Sequence, residues 1–455
     1  MNVLVWLKRD LRLHDHPALT LAAGLGPVLP VYIAEPSLWS RPDASARQWE
    51  FVAESLADLR EAMAGLGLPL VIRLGEAVEV LDRLCRQHRI ARIISHQETG
   101  IPADRARDRR VEAWAQGAGM EWTKVPQPAA EGDPAAQPLP LPAARAVPGV
   151  EPGAVPGTRA LKLAPDPCPH RQLGGRTRGL DLLDSFLARR GEPYRSALAS
   201  PLAAERACSR LSPHLAWGTL SGREVAQATA IRQAERPGGR WTGALAEFRR
   251  HLAARDRLLR GPEDGPGLSD HGTGAAGLQA WAEGETGLPF LDACLRYLRA
   301  TGWLSFPLRA MVASVATGPL GLESETAGQE LARRFTDYAP AIHWPQILAL
   351  SGGPGGQRAP NPVRQGLRQD PTGGFTRRWL PELAAVPEAF LHEPWKWPEA
   401  RRLLGHRYPE PLVDFASAPR PARKVPARRV EAAQLVLDLQ AALPCRAPPI
   451  SERKS

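Results

Sequence analysis

The sequence has few cysteines, and their spacing excludes several kinds of site. The five cysteines lie far apart, and no C-x-x-C pair occurs (Cys85, Cys168, Cys208, Cys294 and Cys445). This pattern argues against a structural zinc site, an iron–sulfur cluster and a disulfide framework. No apolar run is long enough to cross a bilayer, which argues against an integral membrane protein.

The N-terminus and the overall charge set the expected setting and partner. MNVLVWLKRD lacks the long apolar region and the cleavage site of a signal peptide, so we expect a cytoplasmic protein. Lysine and arginine number 58 against 48 acidic residues, a formal charge of +10. This excess favours an anionic partner such as nucleic acid, although a genome that encodes Arg in place of Lys gives the same composition. Charge alone does not separate the two readings.

The first 125 residues alternate between short β-rich runs and amphipathic helical segments. Strands are predicted at 3–6, 27–33, 70–73, 92–95 and 122–125, and helices from Asp43, over 77–87 and over 103–116. Strands that alternate with helices predict a doubly wound α/β domain with a parallel sheet. No G-x-G-x-x-G follows the first strand, which argues against a conventional dinucleotide site there.

The rest of the chain divides by composition. Residues 126–170 contain 12 prolines, which predicts a surface linker over 126–172. Helical patterns follow at 180–190, 213–233, 242–260, 288–301, 308–316 and 330–336, so we expect an all-helical domain over 173–415. Residues 416–455 form a basic extension, read as a solvated tail that offers phosphate contacts.

An arginine and an aspartate in the helical region suggest a ligand site. Arg309 lies in TGWLSFPLRAM and Asp337 in RRFTDYAPAIHW. A buried guanidinium–carboxylate pair is costly unless it is fully hydrogen-bonded, so such a pair often holds a polar ligand. For these two residues alone, an internal salt bridge between helices is the preferred explanation. The full run from Asp292 to His343 resembles the flavin pocket of the photolyase/cryptochrome family, which implies that Arg309 and Asp337 bind and tune FAD.

The segment CSRLSPHLAWGTLS is the most specific motif. By itself, S-R-L-S-P is a good helix N-cap with proline in the first turn. Exposed amides and hydroxyls at such an end also bind phosphate. The resemblance implies that the FAD pyrophosphate binds here, with Tyr194 nearby (Cys208, Ser209, Arg210, Leu211 and Ser212).

The helix containing EFRRHLAAR resembles the family's W-R-E-F-x-R-H-L helix, with departures. The resemblance assigns Trp241, Glu247 and Arg250 to the cofactor site. Leu245 and Ala246 stand where a lesion-contacting aromatic and a flavin-site arginine are expected, and Thr242 replaces the usual active-site glutamate. These changes weaken a pyrimidine-dimer assignment more than they weaken flavin binding. Arg249 and Arg255, with Arg257 and Arg260 on the same segment, are the predicted DNA contacts.

Around the expected flavin ring, three family positions are changed. Phe306 stands where Asn is common, Ala339 replaces a second Asp, and His343 falls where an Asn faces flavin N5. Packing beside Trp344 is the alternative role for His343. An imidazole that becomes cationic near neutrality would tune the flavin, so His343 predicts photochemistry that depends on pH between roughly 5 and 8.

Two further stretches resemble the family. WLKRDLRLHDHPAL matches its opening strand and loop, with His16 where Asn is usual, and this domain of relatives holds an antenna chromophore that the sequence does not identify. Residues 359–383 match its closing motif, in which Asn361–Pro362 sets a turn. The family's tryptophan electron chain is missing at Ile347 and Ser324, although four other tryptophans offer another route (Trp344, Trp379, Trp395 and Trp397).

Three functions are compatible with these patterns. The first is a monomeric, FAD-dependent, light-driven lyase that repairs pyrimidine dimers flipped out of DNA, favoured by the basic charge and by Arg309 with Asp337. The second is a cryptochrome-type photoreceptor without repair, favoured by Thr242, Leu245 and the missing electron chain. The third, a nucleotide-binding α/β protein of the ATP-pyrophosphatase type, is disfavoured because no S-G-G-x-D-S loop follows the first strand. A visible flavin spectrum separates the first two from the third.

Overall fold

The N-terminal domain of the computed structural model is built on a parallel sheet of order β3-β2-β1-β4-β5, as predicted. The structure describes residues 1–130, 137–260, 276–351 and 360–414. The strand order reverses beside β1, the position at which parallel α/β sheets bind ligands. The strands are β1 (Asn2–Leu7), β2 (Val28–Ala34), β3 (Val71–Leu74), β4 (Ile90–His96) and β5 (Glu121–Val125).

Helices cover both faces of this sheet because alternate side chains of each strand point to opposite sides. Val3 and Val5 of β1 pack into one hydrophobic core, whereas Leu4 and Trp6 pack into another. The first helix was not predicted. The helices are α1 (Pro17–Leu25), α2 (Pro36–Trp39), α3 (Ala46–Gly65), α4 (Ala77–Gln87) and α5 (Pro102–Gly117).

His16 belongs to a buried hydrogen-bond cluster that holds the loop after β1. Its Nδ1 accepts the backbone N–H of Leu19, so the proton of a neutral ring lies on Nε2, 3.1 Å from Asp10. His96 Nδ1 lies 2.5 Å from the same carboxylate oxygen, and the Lys8 amide donates to the other oxygen. Although these groups lie within metal-ligand distance of one another, the tautomer of His16 leaves no lone pair for a cation. The cluster therefore fixes the loop by hydrogen bonds.

The proline-rich segment forms no named helix or strand in its described part, but it packs closely on the N-terminal domain. Val147 and Leu161 are buried, and Ala146 forms an isolated bridge with Val28. Arg47 pairs with Asp166 at 2.5 Å. Backbone hydrogen bonds and buried apolar side chains therefore attach the predicted surface linker to the domain at these residues.

The C-terminal region is helical, as predicted. A π-helical turn, Phe186–Arg190, directly follows the first helix of this region, which ends at Ser185. The helices are α6 (Arg176–Ser185), α7 (Tyr194–Ala197), α8 (Pro201–Ala207), α9 (Ser212–Ala216), α10 (Gly222–Glu235), α11 (Gly239–Leu259), α12 (Ala276–Glu283), α13 (Pro289–Thr301), α14 (Phe306–Thr317), α15 (Ser324–Arg334), α16 (Pro340–Leu350), α17 (Pro362–Gln369), α18 (Gly374–Trp379) and α19 (Ala400–Leu403).

The single helix predicted over 213–233 is wrong, because the chain turns between α9 and α10. Gly218 has φ 71°, and a Cβ there would lie 2.2 Å from the carbonyl oxygen of Arg9. Ser221 then caps α10 by accepting the N–H of Glu224. The close approach of the N-terminal domain, rather than local propensity, fixes this break.

Other boundaries differ by a few residues. α15 begins before the predicted residue 330 and ends at Arg334, because the Thr336 amide donates to the carbonyl of Gly302. The expected turn at Asn361 is present, with its side chain capping α17. The basic tail 416–455 lies outside the described residues. Within the described ranges, no helix has the length and apolarity needed to span a membrane.

Candidate functional site

A cavity of about 240 Å³ lies inside the helical domain. Its walls come from the start of α9, from α11, from the start of α14, and from the loop and helix that follow α15. Ten of the fourteen residues predicted to bind the cofactor line it, although they are far apart in sequence: Tyr194, Cys208, Ser209, Arg210, Ser212, Phe306, Arg309, Asp337, Ala339 and His343.

One end of the cavity presents hydroxyls beside two arginines. Arg190 donates to the carbonyls of Cys208 and Ser209, which fixes the turn in which Arg210 adopts φ 62°. The Arg210 guanidinium contacts neutral groups, among them the Trp303 ring at 4.1 Å. The Ser212 hydroxyl is buried and has no hydrogen-bond partner among the described residues. A buried polar atom without a partner is costly, so this end fits a phosphate oxygen.

The helix after this turn contributes less than the sequence suggested. α9 contains only five residues, whereas one long helix was predicted to begin here. A helix dipole sums over aligned peptide units, so a helix of this length adds little to anion binding. Any anion bound here would therefore be held mainly by the hydroxyls and by the positive charge of Arg190 and Arg210.

Tyr194 is held by a short polar relay at the same end. Its hydroxyl lies 2.6 Å from His251 Nδ1, and His251 Nε2 lies 3.3 Å from Glu247. Burial raises the pKa of Glu247, but hydrogen bonds from His251 and Arg250 outweigh it and lower that pKa to about 2. Glu247 therefore stays ionised and fixes the imidazole, which in turn orients the Tyr194 hydroxyl.

Arg309 and Asp337 form another part of the cavity wall. Arg309 donates to Asp337 Oδ2 at 2.5 Å and to the Leu304 carbonyl at 3.0 Å, and its guanidinium lies 3.9 Å from the Phe335 ring centroid. Asp337 is 7% exposed, and its Oδ1 is buried without a hydrogen-bond partner in the described part of the chain. That oxygen can accept an N–H from a bound ring. The donor set fits a flavin ring.

His343 lines the cavity in a neutral form. Burial lowers its pKa to about 4, and the nearby positive charge of Arg309 acts in the same direction. Its Nε2 lies 2.8 Å from the Gly328 carbonyl, so Nε2 carries the proton and Nδ1 is an acceptor. The prediction that His343 becomes cationic between pH 5 and 8 is therefore wrong, because the ring is buried among Phe335, Tyr338 and Trp344.

The structure places the other four predicted cofactor residues outside the cavity lining. Leu211 is buried in the domain core, and Trp241 packs there beneath the guanidinium groups of Arg232 and Arg236. Glu247 and Arg250 pair with each other.

The predicted DNA contacts separate into two groups. Arg249 and Arg257 are exposed on α11, and Arg260, also exposed, directly follows its last residue. Arg255 instead lies in the cavity wall, where it donates to the carbonyl of Leu215, and burial lowers its pKa. The helical period puts Arg255 on a different side of α11 from the other three. Its position suits the cavity mouth rather than an outer face.

Trp303 and Tyr338 are among the cavity residues that the sequence reasoning missed. Trp303 lies in the recognised T-G-W motif, which was the available signal. Tyr338 stands between two residues that were singled out, but nothing in the sequence showed its partners. Its hydroxyl donates to Asp43 Oδ2 at 2.7 Å, and the Trp344 indole donates to the same hydroxyl at 3.0 Å.

Side chains of the N-terminal domain form hydrogen bonds with the loop that carries Asp337 and Tyr338, and with the end of the helix before it. Arg9 donates to the Tyr338 carbonyl, and Gln48 donates to the carbonyls of Ala332 and Phe335. The loop's shape therefore depends on side chains from both domains.

A second cavity, of about 80 Å³, lies at the carboxyl end of the sheet. Trp6, Tyr32 and Tyr338 line it, so Tyr338 is shared by both cavities. Arg107 crosses it, paired with Glu35 and Glu98. Burial raises the pKa of Glu35 to about 7; it also opposes ionisation of Glu98, but Lys8 and Arg107 lower that pKa to about 2. This cavity combines aromatic walls with a charged centre.

Comparison with known proteins adds sequence and structural relatives. Residues 3–129 match the family model described as DNA photolyase, and residues 240–427 match that of the FAD binding domain of DNA photolyase. A deoxyribodipyrimidine photo-lyase from Streptomyces griseus is 30% identical over 475 residues, which cover 92% of this chain and 98% of that protein.

A relative named as a cryptochrome and a solved structure also match over nearly the whole chain. A cryptochrome DASH from Gloeobacter violaceus is 30% identical over 482 residues, covering 92% of this chain and 94% of that protein. The crystal structure of a bacterial class III photolyase from Agrobacterium tumefaciens superposes with a TM-score of 0.77 at 25% identity, covering 97% of each chain. Relatives named for repair and relatives named as cryptochromes therefore resemble this chain about equally.

Proposed function

The chain belongs to the photolyase/cryptochrome family, and we propose that it binds FAD in the helical-domain cavity and uses blue light to repair pyrimidine dimers in DNA. One observation carries the proposal. Two buried polar atoms of the cavity lining, the Ser212 hydroxyl and Asp337 Oδ1, have no hydrogen-bond partner among the described residues. A ligand that carries both phosphates and a ring N–H satisfies both.

The residues divide the work of binding. Ser209 and Ser212 bond the phosphate oxygens, and the positive charge of Arg190 and Arg210 offsets that of the anion. Asp337 accepts a ring N–H through Oδ1, while Arg309 neutralises the carboxylate through Oδ2. Bound FAD supplies light absorption and, once reduced, an electron for the dimer.

Apolar side chains keep water from this site. Trp303, Phe335 and Tyr338 are each no more than 6% exposed and line the cavity. His343 offers an unprotonated Nδ1 that can accept a hydrogen bond from a ring N–H but adds no charge at neutral pH. The protein's contribution is thus to hold the ring dry and in one orientation.

DNA binding is assigned to the exposed face of α11. Arg249, Arg257 and Arg260 attract the backbone, and the dimer reaches the cavity by flipping out of the duplex. Arg255 lies in the cavity wall, where it meets the incoming lesion.

A cryptochrome-type photoreceptor without repair is the second candidate, and one observation favours it. Leu245 is fully buried in the core, and the Thr242 hydroxyl donates to the Pro237 carbonyl. The structure places neither residue in the cavity lining. Two positions at which the family resemblance leads us to expect lesion or active-site contacts therefore lie outside the cavity lining.

The deciding experiment illuminates the reduced protein with oligonucleotides that contain a cyclobutane dimer or a (6-4) product, and follows lesion loss. Repair of the cyclobutane dimer in light but not in darkness supports the first proposal. Loss of neither lesion, in a protein that carries full FAD, supports the photoreceptor. Asp337→Asn, which alters the ring contact, is the control for flavin dependence.

The second cavity is the proposed place for an antenna chromophore. Its aromatic walls suit a planar molecule, but Arg107 and its acidic partners occupy the centre. An absorption band in the purified protein beyond that of FAD, lost in Trp6→Ala, would support this assignment.

A further inference from the structure

Tyr338 combines three features that belong to a redox-active tyrosine. It lines the flavin-type cavity, it is 3% exposed, and its hydroxyl donates to a buried carboxylate, Asp43, at 2.7 Å. A phenol loses an electron far more readily when a base takes its proton at the same time. The geometry points to Tyr338 as an electron donor to photoexcited oxidised flavin, with Asp43 as the proton acceptor. This inference rests on the proposed binding of FAD.

The step balances within the site. Tyr338 gives one electron to the excited flavin, and the proton on its Oη moves along the existing hydrogen bond to Asp43 Oδ2. The phenol becomes a neutral phenoxyl radical, and the carboxylate becomes a carboxylic acid. A soluble thiol, as the external one-electron reductant, then reduces the radical, and the proton returns from Asp43.

Neighbouring groups suit both forms of the pair. Trp344 donates its indole N–H to the Tyr338 oxygen at 3.0 Å, and this hydrogen bond persists when the oxygen has lost its proton. Arg41 pairs with Asp43 and also with Asp104 at 2.5 Å. When Asp43 is protonated, Arg41 therefore keeps a carboxylate partner, and no charge is left without a counterion.

The family's usual donors are missing at the expected positions, and another tyrosine beside the cavity, Tyr297, lacks a base. The family resemblance leads us to expect tryptophans of the electron chain at positions 347 and 324. This chain has Ile347 and Ser324 there, and neither side chain is aromatic. Tyr297 also contacts the cavity wall through Trp303, with ring centroids 6.4 Å apart, but its hydroxyl receives a hydrogen bond from Arg210 rather than giving its proton to a carboxylate. Tyr338 thus has the base that Tyr297 lacks.

The test uses the full-length protein loaded with oxidised FAD and followed by transient absorption and electron paramagnetic resonance. We expect a neutral tyrosyl radical that forms more slowly in D₂O than in H₂O. Tyr338→Phe should abolish that signal. Asp43→Asn keeps the shape of the acceptor but removes the base, so it should suppress the radical while the flavin content stays unchanged.

A second buried tyrosine–carboxylate pair provides the matched control. Tyr408 donates to Asp292 at 2.6 Å, but the pair lies outside the cavity lining, so Tyr408→Phe should leave the radical unchanged. A loaded wild-type protein without a tyrosyl radical, or one whose radical survives Tyr338→Phe, would overturn this inference alone. A protein that takes up no flavin would refute the proposed function and this inference with it.

Discussion

Replacing His343 should change how the stability of the protein depends on pH. The folded protein keeps His343 neutral, with a pKa of about 4 caused mainly by burial, whereas an unfolded histidine titrates near 6.5. Between these values the unfolded chain binds a proton that the folded chain does not. Stability is therefore fully present above about pH 6.5 and falls as the pH is lowered towards 4.

The size of the effect follows from the two pKa values. One pKa unit corresponds to about 1.4 kcal/mol, so His343 costs about 3 kcal/mol once the pH is below both values, and about 2 kcal/mol at pH 5. Glutamine does not titrate, and its amide can still donate to the Gly328 carbonyl. Relative to His343→Gln, the wild type should therefore lose about 2 kcal/mol of unfolding free energy when the pH is lowered from 7.5 to 5.

The assay is denaturant unfolding followed by tryptophan fluorescence, on both proteins without flavin. His96 and His214 also have pKa values lowered to about 4 by burial, but they are present in both proteins and cancel. The exposed His406, replaced by glutamine, is the matched control and should show no change in the difference. An equal stability difference at the two pH values would show that His343 is not held neutral by burial.

Three other changes test the remaining arguments. Asp337→Ala leaves a guanidinium uncompensated, a loss of roughly 3–5 kcal/mol for a broken buried pair, so FAD should be lost on purification; full flavin retention would contradict the assignment. DNA affinity should fall steeply with salt, and Arg249→Gln should lower the slope of log K against log salt by about 1, whereas an unchanged slope would remove α11 from the interface. Gly218→Ala should destabilise the protein far more than Gly67→Ala in thermal unfolding. Both glycines have φ near 70°, but only the first would meet another backbone atom, so equal losses would refute the packing argument.

The sequence predicted what depends on local pattern. β-branched runs separated by amphipathic helices gave the parallel sheet, and the order of motifs placed Arg309 and Asp337 at one site. Arg309 and Asp337 could be predicted as neighbours because each residue lies in a recognisable segment.

The parts that failed depend on contacts between distant segments. The break at Gly218 is set by Arg9, and the neutral state of His343 is set by burial under rings from two elements. Tyr338 was overlooked because its partner Asp43 lies 295 residues away. No spacing rule within one segment reports such a pairing.

The hydrogen bonds between the N-terminal domain and the loop around Tyr338 limit which domains can be exchanged with those of a relative. Gln48 and Arg9 bond that loop through backbone carbonyls, which any sequence offers, but Asp43 bonds the Tyr338 side chain. A chimera that joined this helical half to the α/β half of a relative would keep the first two contacts wherever the donors match. It would lose the third unless residues 43 and 338 were transferred together. The two domains therefore cannot be exchanged independently between relatives, because Asp43 and Tyr338 must come from the same protein.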